Sequence, residues 1–430
     1  MPAMRAVMVV LLVLTCPAAV LPGVARGQTP PEVSVDELVA RALADNPDLK
    51  AARIDVEAAA ARVQQAGLRP NPMLDLGGQK AISPDNNINI GLSLPLDLNG
   101  RKEGRVGVAE RELETRRRQV ADRERRLRAE VRMKAGELLA AQRNLSVTDD
   151  LLRVNREGLG VVGNRVREGA APSLDESLQL VEVNRLDAGR QLAQSRVDIA
   201  TLQLKALVGM PPDAPLVVRG DLVPSPLPLD PSEAMQRAVS DRADIAVARA
   251  EAATASAMVK KEQAEARWDA SINVGYQRQD FGFNLNGVTS SGATRPIQDV
   301  FHYFGGGISV MLPVRNRNEG NIAAAMAGVR AAERRVEFTV LTVQQEVAAA
   351  FAQYEAARRS VDLYERGVRD VARRNLDVVR QAYRLGRGSL LDVVAEQRRY
   401  IEIENGYTDA LKQVYDAAVD IERAVGVAGR

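Results

Sequence analysis

In Ile88-Asn89-Ile90-Gly91-Leu92-Ser93-Leu94-Pro95-Leu96, isoleucine and leucine hold the even positions. Asn89, Gly91 and Ser93 stand between them. A period of two is that of a strand with one apolar face. Upstream, Leu74 and Leu76 flank Asp75. The pattern returns far along the chain. Ile272, Val274 and Tyr276 alternate with Ser271, Asn273, Gly275 and Gln277. Phe304, Gly306, Ile308, Val310 and Leu312 alternate with Gly305, Gly307 and Ser309. Apolar outward and small or polar inward, over about ten residues, is the pattern of a membrane β-barrel strand. A soluble hairpin packed on helices would share it. The aromatics bear on that choice. None precedes Trp268, and seven of the 15 fall between Trp268 and Phe304, where a barrel would meet lipid headgroups. Asn284 to Gln298, rich in Gly, Ser, Thr and Asn, reads as an external loop.

Around these strands the chain repeats once. Leu94-Pro95-Leu96 is answered by Leu312-Pro313-Val314, Gly169–Asp175 by Gly386–Asp392, and Asp45–Ala51 by Asp241–Val247. Residues 28–210 form the first repeat, with a strand pair near 72–96 and a helical hairpin near 103–209. Residues 232–430 form the second, with strands near 270–313 and a hairpin near 318–425. The linker between them, 211–231, holds seven prolines, which lack the donor that helix and sheet require. In the second hairpin, Ile322, Val329, Val336, Val343, Ala350, Ala357, Tyr364, Val371 and Val378 recur every seven residues. A partner stripe runs from Met326 through Val347, Val361, Val368 and Asn375 to Ala382. A sustained period of 3.5 predicts helices coiled around each other. One helix over 318–385 would be about 100 Å long. The first hairpin repeats the design through Val131, Leu138, Leu145, Leu152, Leu159 and Val166. Residues 110–130, with eight Arg and six acids, read as a solvated, ion-paired helix face rather than a basic binding patch.

Composition removes much chemistry. The 430 residues include one His and one Cys, too few for a His/Cys zinc site, a Cys–His nucleophile or a disulfide. No catalytic, cofactor or metal site is expected, and His302 reads as a rim or surface residue. A net charge of +2 argues against nucleic acid as a partner. Residues 1–27 read as a signal peptide. Arg5 precedes the apolar run Ala6–Leu14, and Ala25 and Gly27 are small residues before a cut at Gln28. Leu12-Val13-Leu14-Thr15-Cys16 is a loose lipoprotein site, with Thr15 and Pro17 poor fits, so plain cleavage is preferred. Four strands cannot close a barrel. Two, three or four copies would satisfy closure, three of them giving twelve strands.

Tyr383-Arg384-Leu385-Gly386-Arg387-Gly388-Ser389-Leu390-Leu391-Asp392, together with the duplicated hairpins, resembles the TolC family of outer-membrane efflux proteins. Leu94-Pro95-Leu96-Asp97-Leu98-Asn99-Gly100-Arg101-Lys102 is similar to the strand-to-helix passage of its heavy-metal (CzcC-like) subgroup. The resemblance implies a mainly α protein with membrane β: duplicated helical hairpins in a trimeric α-barrel, and four strands per protomer in a 12-stranded transmembrane β-barrel. It implies a homotrimer in the lipid of a Gram-negative outer membrane, extending into the periplasm. It further implies a periplasmic adaptor (membrane fusion) protein and an inner-membrane transporter, RND-type in preference to ABC. The channel would be a passive exit duct, for heavy-metal cations or drugs, and not an enzyme.

The family narrows its periplasmic end with Tyr, Arg and Asp of the second repeat. Tyr383 and Asp392 match two of these positions. Gly388 occupies the Arg position beside Arg387, and Ala395 the second acidic one beside Glu396, so the family's ionic latch is incomplete. Asp175 is the first-repeat candidate. Gly169, Ser173, Gly386, Ser389 and Leu390 mark the tips where an adaptor would dock. Ser389-x-x-Asp392 and Ser173-x-x-Glu176 also fit helix caps, so capping and pore lining both stand for Asp392. Gly169 and Gly386 should end their helices in the left-handed conformation. Two alternatives share parts of this sequence: a type I secretion duct, and a periplasmic coiled-coil adaptor or structural protein.

Overall fold

The computed structural model describes residues 32–82, 85–222 and 230–426. The expected signal peptide with Cys16, and Pro224, Pro226 and Pro228 of the linker, lie outside the described residues. β1 (Glu32–Ser34) leads into α1 (Val35–Asp45), where Ser34 and Glu37 cap each other's backbone N–H. α2 (Pro47–Ala66) starts at Asn46, whose side chain accepts from the Leu49 N–H. Then come β2 (Met73–Lys80), β3 (Asn86–Pro95), α3 (Arg101–Arg167) and α4 (Ser173–Leu207). β4 (Val217–Arg219) pairs in parallel with β1, a short sheet that no sequence period announces. The second repeat follows as α5 (Pro231–Asp241), α6 (Ala243–Glu265), β5 (Asp269–Val288), β6 (Thr294–Met311), α7 (Glu319–Leu363), a π turn (Tyr364–Val368), α8 (Arg369–Arg384) and α9 (Leu390–Val425).

The four long strands form one antiparallel sheet in the order β2-β3-β5-β6. Its register lines up Leu76, Ile90, Tyr276 and Phe304, and next to them Leu74, Leu92, Val274 and Gly306. Leu74, Leu76, Ile90, Leu92, Val274 and Phe304, with Ile88, Leu94, Ile272, Ile308 and Val310, make a broad exposed apolar face, with Tyr276 half-buried among them. Asp75, Gly91, Gly275 and Gly305 line up on the other face, beside Gly77, Asn89, Gln277 and Tyr303. Among the described residues, the outer edges of β2 and β6 have no strand beside them. No described helix is long and apolar enough to cross a membrane.

Two sequence expectations change here. Asn284–Gln298 is mostly strand: β5 and β6 stay paired out to Val288 and Thr294, with a bulge between Phe283 and Asn286. A partner strand's hydrogen-bond ladder overrides the loop-like composition. The aromatics also divide between faces. Tyr276 packs on Phe304 on the apolar side, whereas Phe281, Phe301 and Tyr303 pack together on the other.

The passage from sheet to helix is a tight polar knot. Asp97, Asn99 and Gly100 all have positive φ, as does Asn318 after β6. Short polar side chains tolerate that conformation best after glycine. Arg105 donates to both carboxylate oxygens of Asp97 at 3.0 and 2.6 Å, and Asp269 accepts from the Leu98 N–H at 3.1 Å. In the second repeat, the Asn318 amide donates to Glu262.

Below the knot, two apolar cores lie along α3. One joins Leu38, Leu49, Val131, Leu138, Leu204 and Val208. The other joins Leu139, Ile245, Val343, Val347, Val414 and Ile421. Heptad positions Val131, Leu138, Val343, Ala350 and Ala357 are thus buried as expected. The charged run is less uniform. Arg116, Arg117 and Arg118 are exposed, but Arg125 and Asp122 are buried, with Arg125 donating to Asp122 and to the Arg423 carbonyl.

The helix expected over 318–385 is continuous in direction but not in phase. The stripe predicts Val371, Asn375, Val378 and Ala382 on the inner side. Instead Ala372 and Leu376 are buried, while Val379 and Tyr383 pack inward. Val371 and Val378 are exposed. Every position has moved by one. The π turn is the cause, since it inserts one extra residue into the helical ladder.

α3 and α6 approach closely at Gly104, where a Cβ would lie 2.9 Å from the Lys261 Cα. Gly104→Val should destabilise the protein by about 1–3 kcal/mol through overpacking, lowering the thermal midpoint of its helical circular dichroism. Gly107→Ala, which faces open space, should not lower it.

Candidate functional site

Both hairpins end in the same turn. Gly169 and Gly386 each have φ +71°. The Gly169 N–H donates to Val166 O and that of Ala170 to Arg165 O; Gly386 and Arg387 donate likewise to Tyr383 O and Ala382 O. These bonds satisfy the last carbonyls of the incoming helix, and only glycine adopts that φ freely.

The outgoing helices start differently. Aligned on the two glycines, Pro172 corresponds to Ser389 and Asp175 to Asp392. At α9, Ser389 is the N-cap: its hydroxyl accepts from the Asp392 N–H, and the Asp392 carboxylate accepts from the Ser389 N–H and hydroxyl. Those bonds hold the Asp392 carboxyl below the ordinary carboxylate pKa. At α4 the cap residue is Pro172, which has no polar side chain, and the helix begins at Ser173. The expected Ser173–Glu176 box is therefore absent, because Ser173 lies one residue inside the helix.

Without a serine to hold it, Asp175 is available to another partner. Tyr383 Oη donates to its Oδ2 at 3.1 Å. Two candidates from opposite repeats thus meet. Tyr383 packs with Leu178 and Val379 against Leu390, Val393 and Val394. Burial, and then the bond to Asp175, push the Tyr383 pKa up. The Arg165 guanidinium lies 5.8 Å from its ring centre. Leu390 is buried in this cluster, so its side chain is not a surface feature of the tip. Arg387 is exposed, and its side chain has no partner among the described residues.

A second link between the hairpins was not singled out from the sequence. Glu182 of α4 is 1% exposed. It accepts from Arg185 on its own helix and from Arg398 of α9 at 3.1 Å. Burial raises its pKa, but the bonds from Arg185 and Arg398 outweigh that and hold it low. Its spacing of seven from Asp175 was the available signal, masked by the many acids on exposed helix faces. No described cluster of His, Cys, Asp and Glu could hold a metal ion. His302 Nδ1 lies 2.8 Å from Tyr276 Oη on the sheet.

The sequence profile of a family described as outer membrane efflux protein matches residues 38–210 and 234–427. The cobalt-zinc-cadmium resistance protein CzcC of Cupriavidus metallidurans is 23% identical over 395 residues, covering 92% of this chain and 90% of that protein. Outer membrane protein OprJ of Pseudomonas aeruginosa is 27% identical over 429 residues, covering 92% and 84%. Among solved structures, CusC superposes with a TM-score of 0.72 at 18% identity, over 91% of each chain.

The unequal caps give a measurable difference. Ser389→Ala should cost α9 about 1 kcal/mol at its start and speed hydrogen exchange at Leu390–Val394; Ser173→Ala should leave α4 unchanged. Because the bonded Asp392 has a depressed pKa, its contribution is complete above the ordinary carboxylate value of about 3.9. It is lost as the pH falls through the depressed value, so exchange at α9 should rise there first.

Proposed function

The chain belongs to the outer membrane efflux protein family, and from that membership we propose how its copies assemble, what they dock to and how the duct is held shut. It is the outer-membrane channel component of an efflux system. Three copies form a 12-stranded barrel above and a helical tube below. The observation that carries this is the pair of open sheet edges at β2 and β6, which hydrocarbon does not tolerate unpaired. The helices support it. α4 exposes Leu174, Val181, Leu192 and Ile199, and the α7–α8 rod exposes Phe338, Leu363, Val371 and Val378. Each row fits the other across a boundary between copies. The mature chain starts at Gln28 after signal cleavage, with Cys16 removed.

At the far end, the tips around Gly169, Ser173, Gly386 and Ser389 receive a periplasmic adaptor, which connects the tube to an inner-membrane transporter. The duct performs no chemistry. Similarity to CzcC supports metal cations as the cargo. The Tyr383–Asp175 bond ties the second hairpin to the first within each copy and resists its outward swing. Asp392, aligned with Asp175 in the second repeat, lines the narrow end, with Arg387 beside it.

The assembly should run as a heat-sensitive trimer after detergent extraction and conduct in a planar bilayer; a monomer without conductance would overturn the reading. Tyr383→Phe and Asp175→Asn should each raise the open fraction. Removing one hydrogen bond to a charged acceptor is worth about 1–3 kcal/mol. The double variant should gain little over either single one. Asp392→Ala should change conductance or cation preference; an unchanged channel would leave capping as its only role.

A further inference from the structure

We infer that Asp75 is a cation-selecting residue in the lumen of the β-barrel, separate from the acids at the hairpin tips. The inference rests on the trimeric assembly proposed above.

The four-strand register sorts charge by face. Consider the inward, polar face from Met73 to Gln79 on β2, Asn87 to Ser93 on β3, Ser271 to Gln279 on β5 and Phe301 to Ser309 on β6. Among the described residues of these spans, Asp75 is the one charged side chain on that face. The bases nearest to it lie on the opposite face: Arg278 and His302 share a row with Ile88, and Lys80 has the same parity as Leu74 and Leu76. Arg278 is ion-paired there with Asp280 at 3.1 Å. No cation within these spans therefore shares the lumen with Asp75; Arg295, which has the inward parity of β6, lies ten positions from Gly305, near the tip of the β5–β6 hairpin.

The surroundings leave that charge open. Asp75 lies over Gly91: a Cβ at Gly91 would be 3.5 Å from the Asp75 Cβ and 3.9 Å from Oδ2. Gly275 and Gly305 continue the row. A Cβ at Gly275 would meet only the Ile90 carbonyl oxygen at 3.6 Å, and one at Gly305 or Gly307 would meet nothing within 4 Å. Side chains neither cover the carboxylate nor fill the space before it.

Closing the barrel does not neutralise it. The neighbouring copy sets its β6 beside β2. Where β2 pairs along Phe301 to Ser309, the inward residues it meets are Phe301, Tyr303, Gly305, Gly307 and Ser309, none of them basic. Symmetry then places three carboxylates at one height around the pore. Their fields add in the lumen, enriching cations and repelling anions. One carboxylate per copy gives too few ligands to trap an ion, so the ring filters without holding its cargo.

The test is the reversal potential of the full trimer in a planar bilayer under a KCl gradient, for the native chain and for Asp75→Asn, Asp75→Lys and Asp392→Asn. The native channel should prefer K+. Asp75→Asn should lower the cation-to-anion permeability ratio at least about twofold at 0.1 M, where the Debye length is about 10 Å, and much less at 1 M, where it is about 3 Å. Asp75→Lys should invert the preference. Heat-sensitive trimers that conduct with an unchanged reversal potential in both Asp75 variants would overturn the inference while leaving the duct intact. So would a preference abolished by Asp392→Asn alone. Trimers that never conduct, or no trimers at all, would instead overturn the assembly on which it rests.

Discussion

A strand edge in hydrocarbon has no water to satisfy its N–H and C=O groups, and among the described residues the sheet leaves two edges without a strand beside them. That constraint organises the rest. A sheet with one apolar and one polar face belongs between lipid and an aqueous pore, and four strands are too few to enclose one. The chain is therefore a sector of a wall. Its helices obey the same geometry, with buried cores along α3 and apolar rows left exposed on α4 and on α7–α8.

Duplication supplied the sector, and divergence gave its halves different duties. The tips keep the same glycine turn and the same aspartate. A single cap residue separates their chemistry. Ser389 holds Asp392 in its own helix end, whereas Pro172 cannot hold Asp175, which bonds across to Tyr383. An ordinary helix-capping position thus decides whether an acid serves its own hairpin or ties two hairpins together.

The strands were legible because each alternates over many residues, and a one-residue slip would turn the apolar set the wrong way. The long helices were legible from their heptads. What stayed hidden has identifiable causes. The extended β5–β6 hairpin has the composition of a loop, and pairing alone makes it strand. The β1–β4 sheet is three residues per strand, too short for a period. Ser173 fits a cap motif, but helix starts are set by backbone geometry, and the start fell one residue earlier at Pro172. Asp75 looked like a spacer between two leucines. Only the register across four strands reveals that its row continues through glycines and that the nearest bases, Lys80 and Arg278, face away. At the tips, Tyr383, Asp175 and Asp392 were named from sequence. The Glu182–Arg398 pair was not, because Glu182 stands among many acids on exposed helix faces and its partner lies 216 positions away.

The π turn at Tyr364–Val368 works as an indexing step in a keyed shaft. Each residue of an α-helix turns the following side chains by about 100°, so one inserted residue rotates the whole lower rod relative to the upper. The upper rod is keyed to the equatorial core through Val343, Val347 and Tyr354; the lower is keyed to the tip through Leu376, Val379 and Tyr383. Neither segment dictates the other's angular setting. Wall packing above and tip geometry below were thereby free to be tuned separately along one continuous helix.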